Sequence, residues 1–217
     1  MSARTRAVLF DLDGTLLDTA PDLASALNAL RGEHGLPPLP LALIRPQVSH
    51  GGTAVLRVGF PHLSAERSAA LLERLLHLYR ERLARETRPF EGVEQLLAHL
   101  EASAVPWGVV TNKAGWLTNP LLQALQLHAR AGAIVCGDTL QVRKPDPAPL
   151  LHAASLVGVE PNACMYVGDA ERDMIAARAA GMRALGARFG YIGPEERVEH
   201  WPADGWIDAP LEVIEWL

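Results

Sequence analysis

The sequence predicts an α/β fold, a parallel sheet with helices on both faces, interrupted near its start by a helical insert. Strand-like apolar runs at 7–10, 106–110, 133–135, 164–167 and 183–187 alternate with helical patterns in the later part of the chain, the signature of βα units. About ninety residues separate the first two runs, far beyond the dozen or so that a crossover needs, so a further segment is inserted there.

The first run, Ala7 to Phe10, continues into Asp11-Leu12-Asp13-Gly14-Thr15. Side chains alternate along a strand, so Asp11 and Asp13 leave its carboxyl end on one side, at the rim where open α/β sheets bind ligands. Two carboxylates there call for a cation. A hard ion such as Mg²⁺ is held by one or two carboxylates and by substrate phosphate oxygens, which makes phosphoryl chemistry the first expectation. Gly14 lets the chain turn sharply, and Thr15 adds a hydroxyl beside the acids. An ordinary acidic turn closing a strand would look the same, since turns favour Asp and Gly, and the later motifs decide between the two.

The insert reads as helical. Pro21-Asp22 opens a helix over 23–30, and Leu72, Leu75, Leu76, Tyr79 and Leu83 recur at helical spacing in a longer one over 65–83. The Pro-rich stretch Gly35 to Pro40 separates the helices. Linkers near 17–21 and 85–91 return both ends of the insert beside the acidic motif. The expected organisation is therefore a core of residues 1–17 and 87–217 and a small helical domain of residues 18–86. Within it, Arg45-Pro46-Gln47-Val48-Ser49-His50-Gly51-Gly52 is a candidate substrate loop. Its paired glycines permit close backbone approach, and Arg45, Ser49 or His50 could meet a carboxylate or sugar hydroxyl; a plain interhelical turn is the competing reading.

The later strands end in further polar residues. Thr111 and Asn112 follow the second run, where helix capping is the alternative role. Lys144-Pro145-Asp146-Pro147 sets a cation ahead of the helical pattern 148–156, with Pro147 suited to its first turn. Val167-Gly168-Asp169 repeats the design of the first motif, so Asp169 could complete a metal site with Asp11. Asp173, at the start of the next helix, could hold a metal-bound water or Lys144, or complement the helix dipole.

Composition narrows the classes. Twenty Lys and Arg against 25 Asp and Glu, a net charge of -5, leave no basic footprint for nucleic acid. No apolar stretch is long enough to span a bilayer, and the N-terminus runs directly into the first strand without a signal segment, so a cytoplasmic protein is expected. Cys136 and Cys164 are widely spaced in apolar surroundings and read as buried reduced thiols. The five scattered tryptophans read as packing rather than a ligand surface, and the His residues outside the candidate loop as surface or packing groups.

In order, DxDGT, TN, KPxP and GDxxxD make the chain resemble the haloacid dehalogenase superfamily of phosphatases over nearly its whole length. The resemblance implies a Rossmann-like core with a mobile cap, the insert standing where phosphoglycolate phosphatase-like members carry their helical cap. It further implies that Asp11 is the nucleophile and Asp13 the general acid/base, that Thr111 and Lys144 bind the phosphoryl group, and that Asp11, Asp13 and Asp169 hold Mg²⁺. Asp173 is expected behind them, with Thr15, Asn112, Arg45, His50, Gly51 and Gly52 on the substrate side. Relatives that cleave carbon–halogen or carbon–phosphorus bonds lack the acid at Asp13, which favours phosphoryl transfer here.

The expected partner is a small phosphorylated metabolite and the expected assembly a monomer or homodimer. Loop similarities at 107–113 and 189–195, with Trp201 and Ala203-Asp204, also resemble bacterial N-acetylmuramic acid 6-phosphate phosphatases. A sugar phosphomutase keeps the same acids and remains open. A non-catalytic binding module is disfavoured, because a scaffold needs no such convergent charges.

Overall fold

The computed structural model describes residues 4–217. Strand β1 (Ala7–Phe10) leads to the short β2 (Leu17–Asp18), from which helices α1 (Ala20–Glu33), α2 (Leu41–Ile44), α3 (Gly52–Gly59) and α4 (Ala65–Arg80) depart. The chain returns through β3 (Arg88–Pro89), antiparallel to β2. Then follow α5 (Val93–Ala102), β4 (Trp107–Val110), α6 (Gly115–Ala124), β5 (Ala133–Val135), α7 (Ala148–Val157), β6 (Cys164–Gly168), α8 (Glu171–Ala179), β7 (Arg183–Ala187) and β8 (Gly205–Ile207).

The main sheet has six strands in the order β5-β4-β1-β6-β7-β8, every neighbouring pair parallel. Each residue of β1 is buried, as a strand covered on both faces requires. Residues of α5 and α6, among them Leu96, Leu100 and Leu121, pack on one face; α7 and α8, with Leu150, Ala153 and Met174, pack on the other. From β1 the chain builds β4 and β5 on one side and then crosses to β6 on the other. That reversal opens a crevice at the carboxyl ends of β1, β4 and β6.

Helices α1 to α4 gather around a third apolar cluster that includes Leu27, Leu30, Val55, Leu56, Leu75 and Tyr79, joined by Leu117 and Tyr191 from the sheet-bearing part. The crossing points are stitched by Asp22, fully buried in the first turn of α1. Its carboxylate accepts hydrogen bonds from the backbone N–H groups of Glu86 and Thr87 and from the Thr87 hydroxyl at 2.6 Å.

The expected parallel sheet with helices on both faces is what forms. Details differ. The second strand starts at Trp107 rather than Pro106, which has no N–H for the ladder. Helix α4 ends at Arg80, short of Leu83, and β8 is an edge strand the sequence reading omits. Both cysteines are free and buried. Among the described residues, no helix is long and apolar enough to cross a membrane.

Candidate active site

Asp11 leaves the end of β1 with its side chain almost wholly buried, and its Oδ1 accepts the N–H of Leu12 at 2.7 Å. Lys144 reaches it from the segment before α7. Its side chain is fully buried, and the ammonium lies 3.0 Å from Asp11 Oδ1, 2.8 Å from Asp173 Oδ1 and 2.6 Å from the Tyr166 hydroxyl. Asp173 is thereby committed to Lys144, and its other oxygen accepts the Ala170 N–H at 3.0 Å, capping α8. Thr111, directly after β4, is buried and lines the same cleft as Asp11, and the Asn112 amide donates to the Lys144 carbonyl at 2.9 Å.

Asp13 faces the cleft from the turn after β1. Its carboxylate takes both Lys113 contacts, at 2.8 and 3.1 Å, and the Thr19 hydroxyl at 2.5 Å. Gly14 closes that turn with φ of +83°, and a Cβ there would stand 2.1 Å from Asp169 Oδ2, so only glycine fits. Asp169, at the tip of β6, accepts the Thr15 hydroxyl on Oδ1 and the Tyr191 N–H and Ser49 hydroxyl on Oδ2.

Asp11, Asp169 and Asp173 bring carboxylate oxygens within 4.8 Å of one another, all buried. Burial pushes the Asp169 carboxyl up to about 7, reinforced by the charges of Asp11 and Asp173. Lys144 and Arg172 supply positive charge nearby, Arg172 with its guanidinium 3.8 Å from Asp11 Oδ2. Three buried carboxylates against two cations leave an excess of negative charge, and the donors are all oxygen. That combination suits a hard divalent ion such as Mg²⁺. Lys144 contacts both Asp11 and Asp173, but the second oxygen of Asp173 caps α8 whereas Asp11 Oδ2 faces Arg172 at 3.8 Å, so Asp11 with Asp169 could hold one.

Asp11 and Asp13 line a cleft of about 540 Å³ between the sheet rim and the insert; Asp169 and Asp173 are buried behind it. Residues 8–187 match the model of the haloacid dehalogenase-like hydrolases. The chain belongs to this family. It is 46% identical over 210 residues to a phosphoglycolate phosphatase of Xanthomonas campestris pv. campestris (strain 8004), covering 97% of this chain and 95% of the relative. It is 41% identical over 215 residues to the N-acetylmuramic acid 6-phosphate phosphatase of Pseudomonas aeruginosa, covering 99% and 95%. The crystal structure of a predicted phosphoglycolate phosphatase from Haemophilus somnus 129PT superposes with a TM-score of 0.86 at 25% identity, covering 99% of both chains. These are phosphatases, and the chain is a hydrolase of that kind.

Within this haloacid dehalogenase-like site, the structure brings together Asp11, Asp13, Thr15, Thr111, Asn112, Lys144, Asp169 and Asp173. From the candidate loop, His50, Gly51 and Gly52 line the cleft. Arg45 is not among its lining residues: the guanidinium pairs with Asp18 at 3.0 Å and lies over the Tyr191 ring. Sequence reasoning passed over Lys113, Arg172 and Tyr79. Arg172 carried a signal, an arginine inside the acidic GDxxxD motif. Its buried Nε has no hydrogen-bond partner among the described residues. Tyr79 carried none, because a helix-spaced aromatic reads as core, and only the fold sets it over the Lys113 ammonium at 4.5 Å.

Proposed function

We propose that this chain is a Mg²⁺-dependent phosphomonoester hydrolase of small phosphorylated metabolites, phosphoglycolate phosphatase-like, working through an aspartyl phosphate on Asp11. The observation that carries the reading is Asp11 at the floor of the cleft, between Lys144 and Arg172, with Asp13 two residues on. A dianionic phosphoryl group would find one buried ammonium, a guanidinium and the Thr111 hydroxyl around the attacking oxygen.

The carboxylate of Asp11 attacks phosphorus in line, and the bond from phosphorus to the ester oxygen breaks. Asp13, as the acid, gives its proton to the departing alkoxide. In the second step the Asp13 carboxylate takes a proton from water, whose oxygen attacks phosphorus and frees Asp11. Such acid/base help is worth about 10²- to 10⁴-fold. Lys113 and Thr19 fix the direction of the Asp13 carboxylate throughout. Held by Asp11, Asp169 and the Asp13 carbonyl, Mg²⁺ would supply positive charge against the phosphoryl oxygens. The insert, residues 18–86, acts as the cap: it walls the cleft with Leu72, Leu76 and Tyr79 and limits water above the phosphate.

A second reading, N-acetylmuramic acid 6-phosphate as substrate, draws support from the same cleft. Its volume and apolar wall exceed what a two-carbon acid fills. Phosphate release from 2-phosphoglycolate, N-acetylmuramic acid 6-phosphate and simple sugar phosphates, with and without Mg²⁺, tests both readings. Metal-dependent turnover that vanishes in Asp11→Asn is expected. Turnover equal to that variant on every ester would end the phosphatase reading, and a strong preference within the panel names the substrate.

A further inference from the structure

Ser49 brings the insert into contact with the Asp169 carboxylate. Ser49 lies between the turn of residues 45–47 and α3, and it is 9% exposed. Its Oγ stands 2.7 Å from Asp169 Oδ2 and 3.4 Å from the backbone carbonyl oxygen of Asp13. These are two of the groups that the Mg²⁺ reading assigns to the cation. Around octahedral Mg²⁺, with ligands at about 2.0–2.1 Å, adjacent ligand oxygens lie about 3 Å apart. The two Ser49 separations bracket that edge length.

The chemistry of the group agrees. The Asp13 carbonyl accepts only, as does the Asp169 carboxylate in the ionised form that a cation favours, whereas a hydroxyl can donate its one hydrogen to Asp169 and still turn lone pairs toward a cation. The loop's two charged or titratable side chains are engaged elsewhere: Arg45 with Asp18, and His50 with Glu196 at 3.3 Å.

We propose that Ser49 is a cation ligand contributed by the cap, so that divalent metal binding and docking of the cap on the core reinforce each other. The inference rests on the Mg²⁺ reading above. Linkage makes the coupling reciprocal: if the docked cap tightens the metal, the metal holds the cap down by the same factor.

The test is calorimetric titration of Mg²⁺ into the full chain without substrate, with Ser49→Ala, Ser49→Thr and Ser49→Cys alongside and folding checked by circular dichroism. Ser49→Ala is expected to weaken Mg²⁺ binding by about tenfold or more, the loss typical even of groups that only support a ligand. Ser49→Thr, which keeps the hydroxyl, should restore most of it. Ser49→Cys should shift preference from Mg²⁺ to Cd²⁺ and add a sulfur-to-metal charge-transfer absorption that the Cd²⁺-treated parent lacks. Unchanged Mg²⁺ affinity in Ser49→Ala, or no new absorption in folded Ser49→Cys, overturns the assignment and leaves the metal reading standing. A parent chain that takes up no Mg²⁺ overturns both.

Discussion

Lys113 decides how Asp13 faces the cleft. Burial works against its ammonium, but the adjacent Asp13 charge and the Tyr79 side chain more than offset that and hold its pKa above the ordinary lysine range. The side chain therefore stays cationic at any working pH. Lys113→Met keeps the apolar contact with Tyr79 and removes both bonds to Asp13, leaving only the Thr19 hydroxyl to orient it. We expect kcat to fall about 10- to 100-fold, as for other misplaced catalytic groups, with the fold intact by melting; wild-type turnover would take Lys113 out of the machinery. The cysteines give a simpler case. Burial pushes the Cys164 thiol up to about 11 and Cys136 above its usual value. At pH 8 only about a thousandth of Cys164 is thiolate, so a disulfide reagent should find no fast-reacting thiol in the native protein and both after denaturation. The acids were legible in the sequence as a motif, DxDGT at the end of an apolar run, but not through strand alternation: β1 stops at Phe10, and a turn carries Asp13 toward Lys113 while Asp11 meets Lys144. Lys113 was not, since lysine after a strand is ordinarily a solvated residue, and its partners come from a turn and a helix far away in sequence.

The edge of the sheet shows where element-level reading failed and why. Strand β8 is only Gly205-Trp206-Ile207, preceded by Pro202 and Asp204, so neither length nor alternation announced it. What forms it is packing of large rings on small residues. A Cβ on Gly186 of β7 would come within 2.4 Å of the Trp206 ring, and one on Gly205 within 2.2 Å of Trp216. The Trp201 and Trp206 rings meet at a tilt of 37°, with centroids 5.6 Å apart. Trp107, Trp201, Trp206 and Trp216 pack as the reading of core or surface cover expected, while Trp116 is 43% exposed; the glycine partners of Trp206 and Trp216 lie apart in sequence, and no local pattern links them. Gly186→Ala should push Trp206 off the sheet and lower stability by about 1–3 kcal/mol, the usual cost of overpacking a filled site. A urea midpoint unchanged from the parent would mean the edge strand can shift to make room. By contrast β1, β4, β6 and β7 were legible nearly to the residue, because a parallel strand buried on both faces must be a continuous apolar run.

At the scale of the whole molecule, Tyr191 is one of the points where the insert meets the sheet-bearing part; the sequence marked its stretch, 189–195, only as a loop similarity and not for this contact. Its backbone N–H donates to Asp169 Oδ2 at 2.9 Å, while its hydroxyl donates to Asp18 Oδ1 at 2.7 Å and accepts the Ala20 N–H at 2.9 Å. Arg45 lies over its ring, 4.9 Å from the centroid, and pairs with Asp18. One residue thus ties the acid cluster to the point where the insert leaves the core, and it explains why Arg45 is engaged outside the cleft. Tyr191→Phe keeps the ring and its contacts with Arg45 and Phe90 but removes the hydroxyl, leaving Ala20 N–H without its acceptor. Losing a buried hydrogen bond of this kind costs about 1–3 kcal/mol. If these bonds exist only while the cap is docked, that cost falls entirely on the docked state, whose population relative to the open one drops about 5- to 150-fold. Small-angle scattering should then show a larger radius of gyration for Tyr191→Phe than for the parent, with little change in melting temperature. The opposite pattern, an unchanged radius with a lowered melting temperature, would mean that the hydroxyl holds the fold together in both states and that docking is governed elsewhere.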